Sequence, residues 1–178
     1  MAKQVLAKGR HLQLVSEDGW EFIERVGVSG VVAVLAVTKD GRLVLTEQYR
    51  KPVQAQVLDL PAGLAGDEDG QEDEPLAEAA QRELLEETGY RASKLRELTS
   101  GPSSAGLSSE IITFFEALDV EKVESGGGVA GENICVHEVP LSELCDWLQT
   151  QQQQGKLVDP KIFAALYLAQ CDSKDNQS

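Results

Sequence analysis

Basic residues are scarce in this chain. Lys and Arg number 16 against 30 Asp and Glu, a formal net charge of −14 at pH 7. Binding a polyanion or an anionic membrane needs a cationic surface, so the expectation is no nucleic-acid partner and no membrane partner. A small phosphate-bearing substrate stays admissible if divalent cations stand between its charge and the protein's. Cysteine is equally sparse: Cys135, Cys145 and Cys171 are widely spaced and form no C-x-x-C pair. Neither structural disulfides nor a thiolate zinc site is expected, which suits a reducing cytosol. The two histidines, His11 and His137, show no partner spacing and offer no metal pair. No N-terminal apolar run of roughly 7–15 residues marks a secretion signal, and no run of about 18 could span a bilayer. The expected location is the cytoplasm.

What is present fits one globular domain. A chain of 178 residues, 42% hydrophobic and 26% charged, is long enough to bury a core and too apolar for wholesale disorder. HLQLVSEDGWEFIERV alternates loosely, with Asp18-Gly19 as a turn between two short strands. Gly30 to Thr38 is apolar on both faces, the pattern of a buried central strand. RLVLTEQYR and VQAQVLDLPAG read as further strands, the second ending at Pro61. A helix is predicted from near Pro75, since proline suits a first turn, to Gly89, since glycine suits the residue past a helix end. The strands EIITFFEALDV and ICVHEVP follow, separated by the Gly-rich SGGGVAGEN. Ser142 is the expected N-cap of a helix with Leu144, Trp147 and Leu148 on one face. A last helix carries Ile162, Leu166 and Ala169 at helical spacing. The order is α/β, with residues 1–28 as N-terminal strands, 29–172 as the layered domain and 173–178 as a disordered polar tail.

The acid is not evenly spread. Pro61 to Tyr90 holds ten acidic residues against one base, Arg82. On a helix of 3.6 residues per turn, Glu83, Glu86 and Glu87 share an arc of roughly 100°, beside an apolar arc of Leu76, Ala77, Ala80 and Leu84. At an effective dielectric of about 20, each ionised pair repels by on the order of 3 kcal/mol. An oxygen-seeking divalent cation would turn that repulsion into binding energy. Arg82, four residues from both Glu78 and Glu86, can brace carboxylates above and below it. By spacing alone, a metal site and a solvated charged helix both stay open. A calcium-binding EF-hand does not: with Gly70 as its glycine, Ala65 and Leu76 would fall at ligand positions.

Arg82-Glu83-Leu84-Leu85-Glu86-Glu87-Thr88-Gly89-Tyr90 resembles the second half of the Nudix box, R-E-U-x-E-E-x-G-U, and Glu74 stands eight positions earlier, where that box also has a glutamate. The box glycine corresponds to Gly63 of LPAG, with about five extra residues in GDEDGQED, a place where loop length is tolerated. The resemblance implies an α/β/α sandwich with a mixed sheet, beside the N-terminal hairpin read from the Asp18-Gly19 turn. It also implies hydrolysis of a nucleoside diphosphate linked to another group. On this pattern Glu83 and Glu87 ligate Mg²⁺ or Mn²⁺ with the Ala62 carbonyl, as two or three ions when substrate is bound. Glu86 is a ligand or the base, and Arg82, Glu74 and Gly63 support the site.

Further segments resemble the ADP-ribose and nucleoside-diphosphate-sugar pyrophosphatases: EQYRKP around Arg50, LPAGL with Leu64, GPSSAGLSSE with Glu110, and GGGVAGENICVHEVPLSEL with Glu132. By resemblance Arg50 contacts substrate phosphate, Leu64 lines the substrate site and Glu110 meets the terminal ribose or sugar. Glu132 is the alternative base, on a mobile loop with Gly126-Gly127-Gly128 as its hinge. Arg25 and Trp20 reach a nucleotide across a homodimer interface, although packing is the competing role for Trp20. Two other readings remain beside a pyrophosphatase of ADP-ribose or a related nucleotide sugar: a housecleaning or dinucleoside-polyphosphate hydrolase, and a non-catalytic nucleotide sensor.

Overall fold

The computed structural model describes residues 2–67, 70, 72–128 and 131–175. The N-terminal strands β1 (Gln4–Lys8), β2 (Leu12–Glu17) and β3 (Trp20–Arg25) form an antiparallel sheet. Asp18 and Gly19, at φ of 49° and 87°, make the expected turn between β2 and β3. β1 extends the expected hairpin to three strands. β4 (Gly30–Ala36), β5 (Arg42–Arg50), β6 (Ala55–Asp59) and β7 (Ala62–Ala65) follow, then α1 (Leu76–Thr88). After α1 come β8 (Tyr90–Arg91), β9 (Lys94–Pro102), β10 (Ile111–Leu118), β11 (Glu121–Lys122) and β12 (Cys135–Pro140). The chain closes with α2 (Leu144–Gln153), β13 (Leu157–Val158) and α3 (Lys161–Asp175).

β4 is central because both of its faces are apolar. It pairs parallel with β10 and antiparallel with β7, in a mixed sheet ordered β7-β4-β10-β9. Successive side chains alternate between two cores. Val32, Val34 and Ala36 join Ala79, Ala80 and Leu84 of α1 on one face, while Ala33 and Leu35 join Leu144, Leu148 and Ile162 of α2 and α3 on the other. This gives the expected α/β/α layering. A second sheet, β12-β5-β6-β13, packs into the same cores through Leu43, Val44, Leu45 and Leu58.

The helix α1 lies within its expected bounds. Pro75 takes the N-cap position in an extended conformation, and Gly89 takes the C-cap at φ 75°. Two expectations need correction. Ser142 does not cap α2: Glu143 holds that place without a side-chain cap bond. Helix α3 runs to Asp175, so residues 173–175 of the expected tail are helical, and residues 176–178 lie outside the described residues. Among the described residues no helix is long and apolar enough to cross a membrane. Glu68, Asp69 and Gln71 of the acidic insertion also lie outside them.

Candidate active site

A short strand and one helix build the centre of the site. After β6 the chain passes through Leu60 and Pro61 into β7, which pairs Ala62 with Ala33 and Gly63 with Val32 of β4. Strand β7 packs against α1. The Ala62 amide donates to Glu87 Oε2 at 3.0 Å. A β-carbon on Gly63 would stand 2.0 Å from the Glu83 carboxyl carbon, so the position admits only glycine while Glu83 keeps its place.

Glu83 and Glu87 are four residues apart and turn to the same side of α1. Both are largely removed from water: the Glu83 side chain is 12% exposed, and Glu87 as a whole residue is 6% exposed. Burial pushes the Glu83 carboxyl up to about 7 and that of Glu87 up to about 8. Arg82 donates to Glu83 Oε1 at 2.9 Å, yet burial prevails because that guanidinium is shared. Its Nε and Nη2 hold the two oxygens of Glu74 at 3.0 Å each, Nη2 also donates to the Leu64 carbonyl at 2.8 Å, and Nη1 reaches Glu86 at 3.4 Å. The Arg82 hydrogen bonds hold the Glu74 carboxyl below its usual range against its own burial. Glu74 also accepts the Gly66 amide at 3.2 Å. Arg82 therefore ties α1, the strand β7 and the segment leading into the helix together from behind the site.

In front of these carboxylates lies a cavity of about 600 Å³. Glu83, Glu87, Ala62, Gly63, Leu64, Arg50, Arg25, Glu110 and Glu132 all line it. The register of β3 explains Arg25 and Glu110. Ile23 exchanges backbone bonds with Leu107 and Ser109 at 2.9 and 3.1 Å, which brings Arg25 Nε to 2.5 Å from Glu110 Oε2. Arg25 thus faces the cavity of its own chain. Arg50 lines the cavity with no ion partner among the described residues.

Other expected residues fall elsewhere. Glu86 does not line the cavity and leans toward Arg82. Trp20 is 65% exposed and outside the cavity; this excludes core packing within the chain. Gly126 to Gly128 do not form a free hinge, since the Gly127 and Gly128 amides bond to the Glu87 and Glu86 carbonyls at 2.8 and 2.9 Å. Sequence reasoning missed Gln48, Asp67 and a polar group on the far wall, where Lys161 lies 3.0 Å from Asp59 and 2.5 Å from Asp159. Burial raises the Asp59 carboxyl, while the two carboxylates outweigh the burial of Lys161 and keep it charged. Asp59 had a signal, as the residue leading into LPAG. Lys161 had none, because only the closure of β13 onto β6 brings α3 there.

The donor set fits a hard divalent cation. Glu83 Oε2 and Glu87 Oε1 have no hydrogen-bond donor among the described residues, although both carboxylates are desolvated. Among the described residues no three acidic, His or Cys side chains converge into a closed cage. Two buried carboxylates on one wall of a cavity, outside any closed cage, are the kind of donor set with which Mg²⁺ is commonly held, water and substrate oxygens completing its shell.

Residues 28–166 match the family profile of the NUDIX domain, and the chain belongs to that family. It is an enzyme acting on acid anhydrides, and hydrolases of the family generally need divalent metal ions. It is 37% identical over 159 residues to the ADP-ribose pyrophosphatase of Bacillus subtilis (strain 168), covering 85% of this chain and 83% of that protein. It is 33% identical over 141 residues to the methanol dehydrogenase activator of Bacillus methanolicus, covering 78% and 71%. With the GDP-mannose pyrophosphatase of Escherichia coli (strain K12) the identity is 32% over 139 residues, covering 73% and 70%. A crystal structure of an ADP compounds hydrolase has the same fold, with a TM-score of 0.72 over 99% of this chain and 94% of that one at 22% identity.

Proposed function

We propose that the chain hydrolyses the pyrophosphate bond of ADP-ribose or a related nucleoside diphosphate sugar, releasing a nucleoside monophosphate and a sugar phosphate. The observation that carries this reading is the convergence of buried Glu83 and Glu87 with Arg50 and Glu132 on one cavity. The relatives named for ADP-ribose and GDP-mannose support the substrate class.

Glu83, Glu87 and the Ala62 carbonyl would hold Mg²⁺ or Mn²⁺, two or three ions with substrate, which supply neutralisation of the diphosphate and activation of water. Arg50, which lines the cavity and has no ion partner among the described residues, pairs with a substrate phosphate. Glu132 takes the proton of the attacking water. It is favoured over Glu86 because it lines the cavity and Glu86 does not. Glu110, bonded to Arg25, accepts from sugar hydroxyls, and Leu64 contacts the substrate's apolar face. Arg82, Glu74 and Gly63 hold this arrangement without touching the reacting atoms. Water adds across the P–O–P bridge, one phosphorus taking its hydroxyl and the bridging oxygen leaving with the other.

A homodimer through β1–β3 accords with the exposure of Val5, Leu6, Leu12 and Trp20 there, and Trp20 would then meet the second copy. Free Cys135, Cys145 and Cys171 accord with a cytoplasmic location. The test is a panel of ADP-ribose, GDP-mannose, UDP-glucose, diadenosine polyphosphates and nucleoside triphosphates with Mg²⁺. The expected result is turnover of the nucleotide sugars; turnover confined to the triphosphates or dinucleotides would reverse the assignment.

A further inference from the structure

The last carbonyls of a helix have no partner within it and must find donors elsewhere. At the end of α1 those donors come from the glycine-rich segment. The Gly127 amide donates to Glu87 O at 2.8 Å and the Gly128 amide to Glu86 O at 2.9 Å, while Val123 and Glu124 both donate to Gly89 O, at 2.8 and 3.2 Å. The contact is too close for side chains. A β-carbon on Gly126 would stand 2.3 Å from the Thr88 carbonyl carbon, and one on Gly89 would stand 2.1 Å from Glu124 O. Both glycines also have positive φ, 68° and 75°. The segment is then turned back on itself, since the Ile134 amide reaches Gly127 O at 3.4 Å. Glu132 lies inside that closure and against Gly128, where a β-carbon would stand 2.6 Å from Glu132 Oε2.

We propose that Gly126–Gly128 is a positioning strip: by docking on the C-terminal end of α1, it sets Glu132 in the cavity relative to the Glu87 carboxylate carried by the same helix end. This rests on the reading of Glu132 as base given above. One helix end thereby fixes two groups of the site that are far apart in the chain. Two of the strip's three glycines serve distinct requirements: Gly126 gives backbone approach, and Gly128 leaves the space that Glu132 occupies.

The test compares Gly126→Ala and Gly128→Ala with Gly131→Ala, whose residue also has positive φ (102°) but meets nothing within 4 Å. Kinetics with ADP-ribose and Mg²⁺ should show kcat lowered roughly tenfold or more at 126 and 128, with KM within about threefold. Gly131→Ala should stay within about threefold of the parent in both. In the Glu132→Gln background, Gly128→Ala should lower kcat by less than about twofold, because both changes act on one group. Strip variants no worse than Gly131→Ala, or effects that multiply in the double variant, would overturn the proposal while leaving the base assignment standing. Full turnover in Glu132→Gln would overturn the base assignment and this proposal with it. Amide hydrogen exchange of the unmodified protein covers a variant that fails to fold: Gly127 and Gly128 should be protected relative to Gly131, and equal exchange counts against docking.

Discussion

Replacing Arg82 by Met removes the cation shared by Glu74, Glu83 and Glu86. Glu74 suffers most, because its side chain is only 4% exposed and two of its contacts are Arg82 nitrogens at 3.0 Å. Breaking a buried pair on one side strands a charge, a loss of about 3 kcal/mol at neutral pH. In a chain of this size that lowers Tm by about 6–12 °C. The Glu74 carboxyl is held below 4.5 in the fold, so its contribution is present above that value and is lost as pH falls through the folded pKa. The gap between parent and variant should therefore narrow as pH drops from 7 to 4. Urea unfolding at both pH values measures this. Adding Glu74→Gln to the variant should cost little more, a coupling of about 2 kcal/mol. A loss under about 1 kcal/mol, a gap independent of pH, or additive losses would refute the bracing role.

Three further outcomes follow from the same geometry. Gly63→Ala should displace the Glu83 carboxylate, the flexible end of a side chain; Tm should fall by only about 2–4 °C while turnover drops roughly a hundredfold, and parental turnover would contradict the clash. Burial raises Glu83 to about 7 and Glu87 to about 8, so without metal their contribution favours the fold below 4.5 and is lost as pH rises toward 8. Mg²⁺ should accordingly raise Tm more at pH 8.5 than at pH 5, and a pH-independent shift would count against these two as ligands. Arg50→Met should raise KM for ADP-ribose about tenfold and leave Tm within about 2 °C; an unchanged KM removes Arg50 from the phosphate site.

Much of the fold could be read ahead because local chemistry and tertiary packing agreed. Pro75 and Gly89 bracket α1, Asp18-Gly19 turns β2 into β3, and the two apolar faces of Gly30–Ala36 require layers on both sides. The four-residue β7 and two-residue β13 escaped, since such short strands exist only by pairing with β4 and β6. Helical spacing grouped Glu83, Glu86 and Glu87 on one arc but could not orient it. Glu86 is about 60° around the helix from Glu83 on the side away from Glu87, and it leans to Arg82 while the other two line the cavity. The glycine triplet suggested freedom; its close seat on α1 depends on contacts that no local pattern carries. The far wall of Asp59, Asp159 and Lys161 likewise exists only once the sheets close.

The central claim is that Glu83, set against Gly63, is part of the machinery that splits the nucleotide sugar. Release of AMP and ribose 5-phosphate from ADP-ribose with Mg²⁺, measured for the parent and for Glu83→Gln, tests it directly. The expected result is a fall in turnover of at least about a thousandfold with an unchanged or raised Tm, because an amide lifts the cost of a buried anion. Turnover within about tenfold of the parent, in a folded variant, would contradict the account.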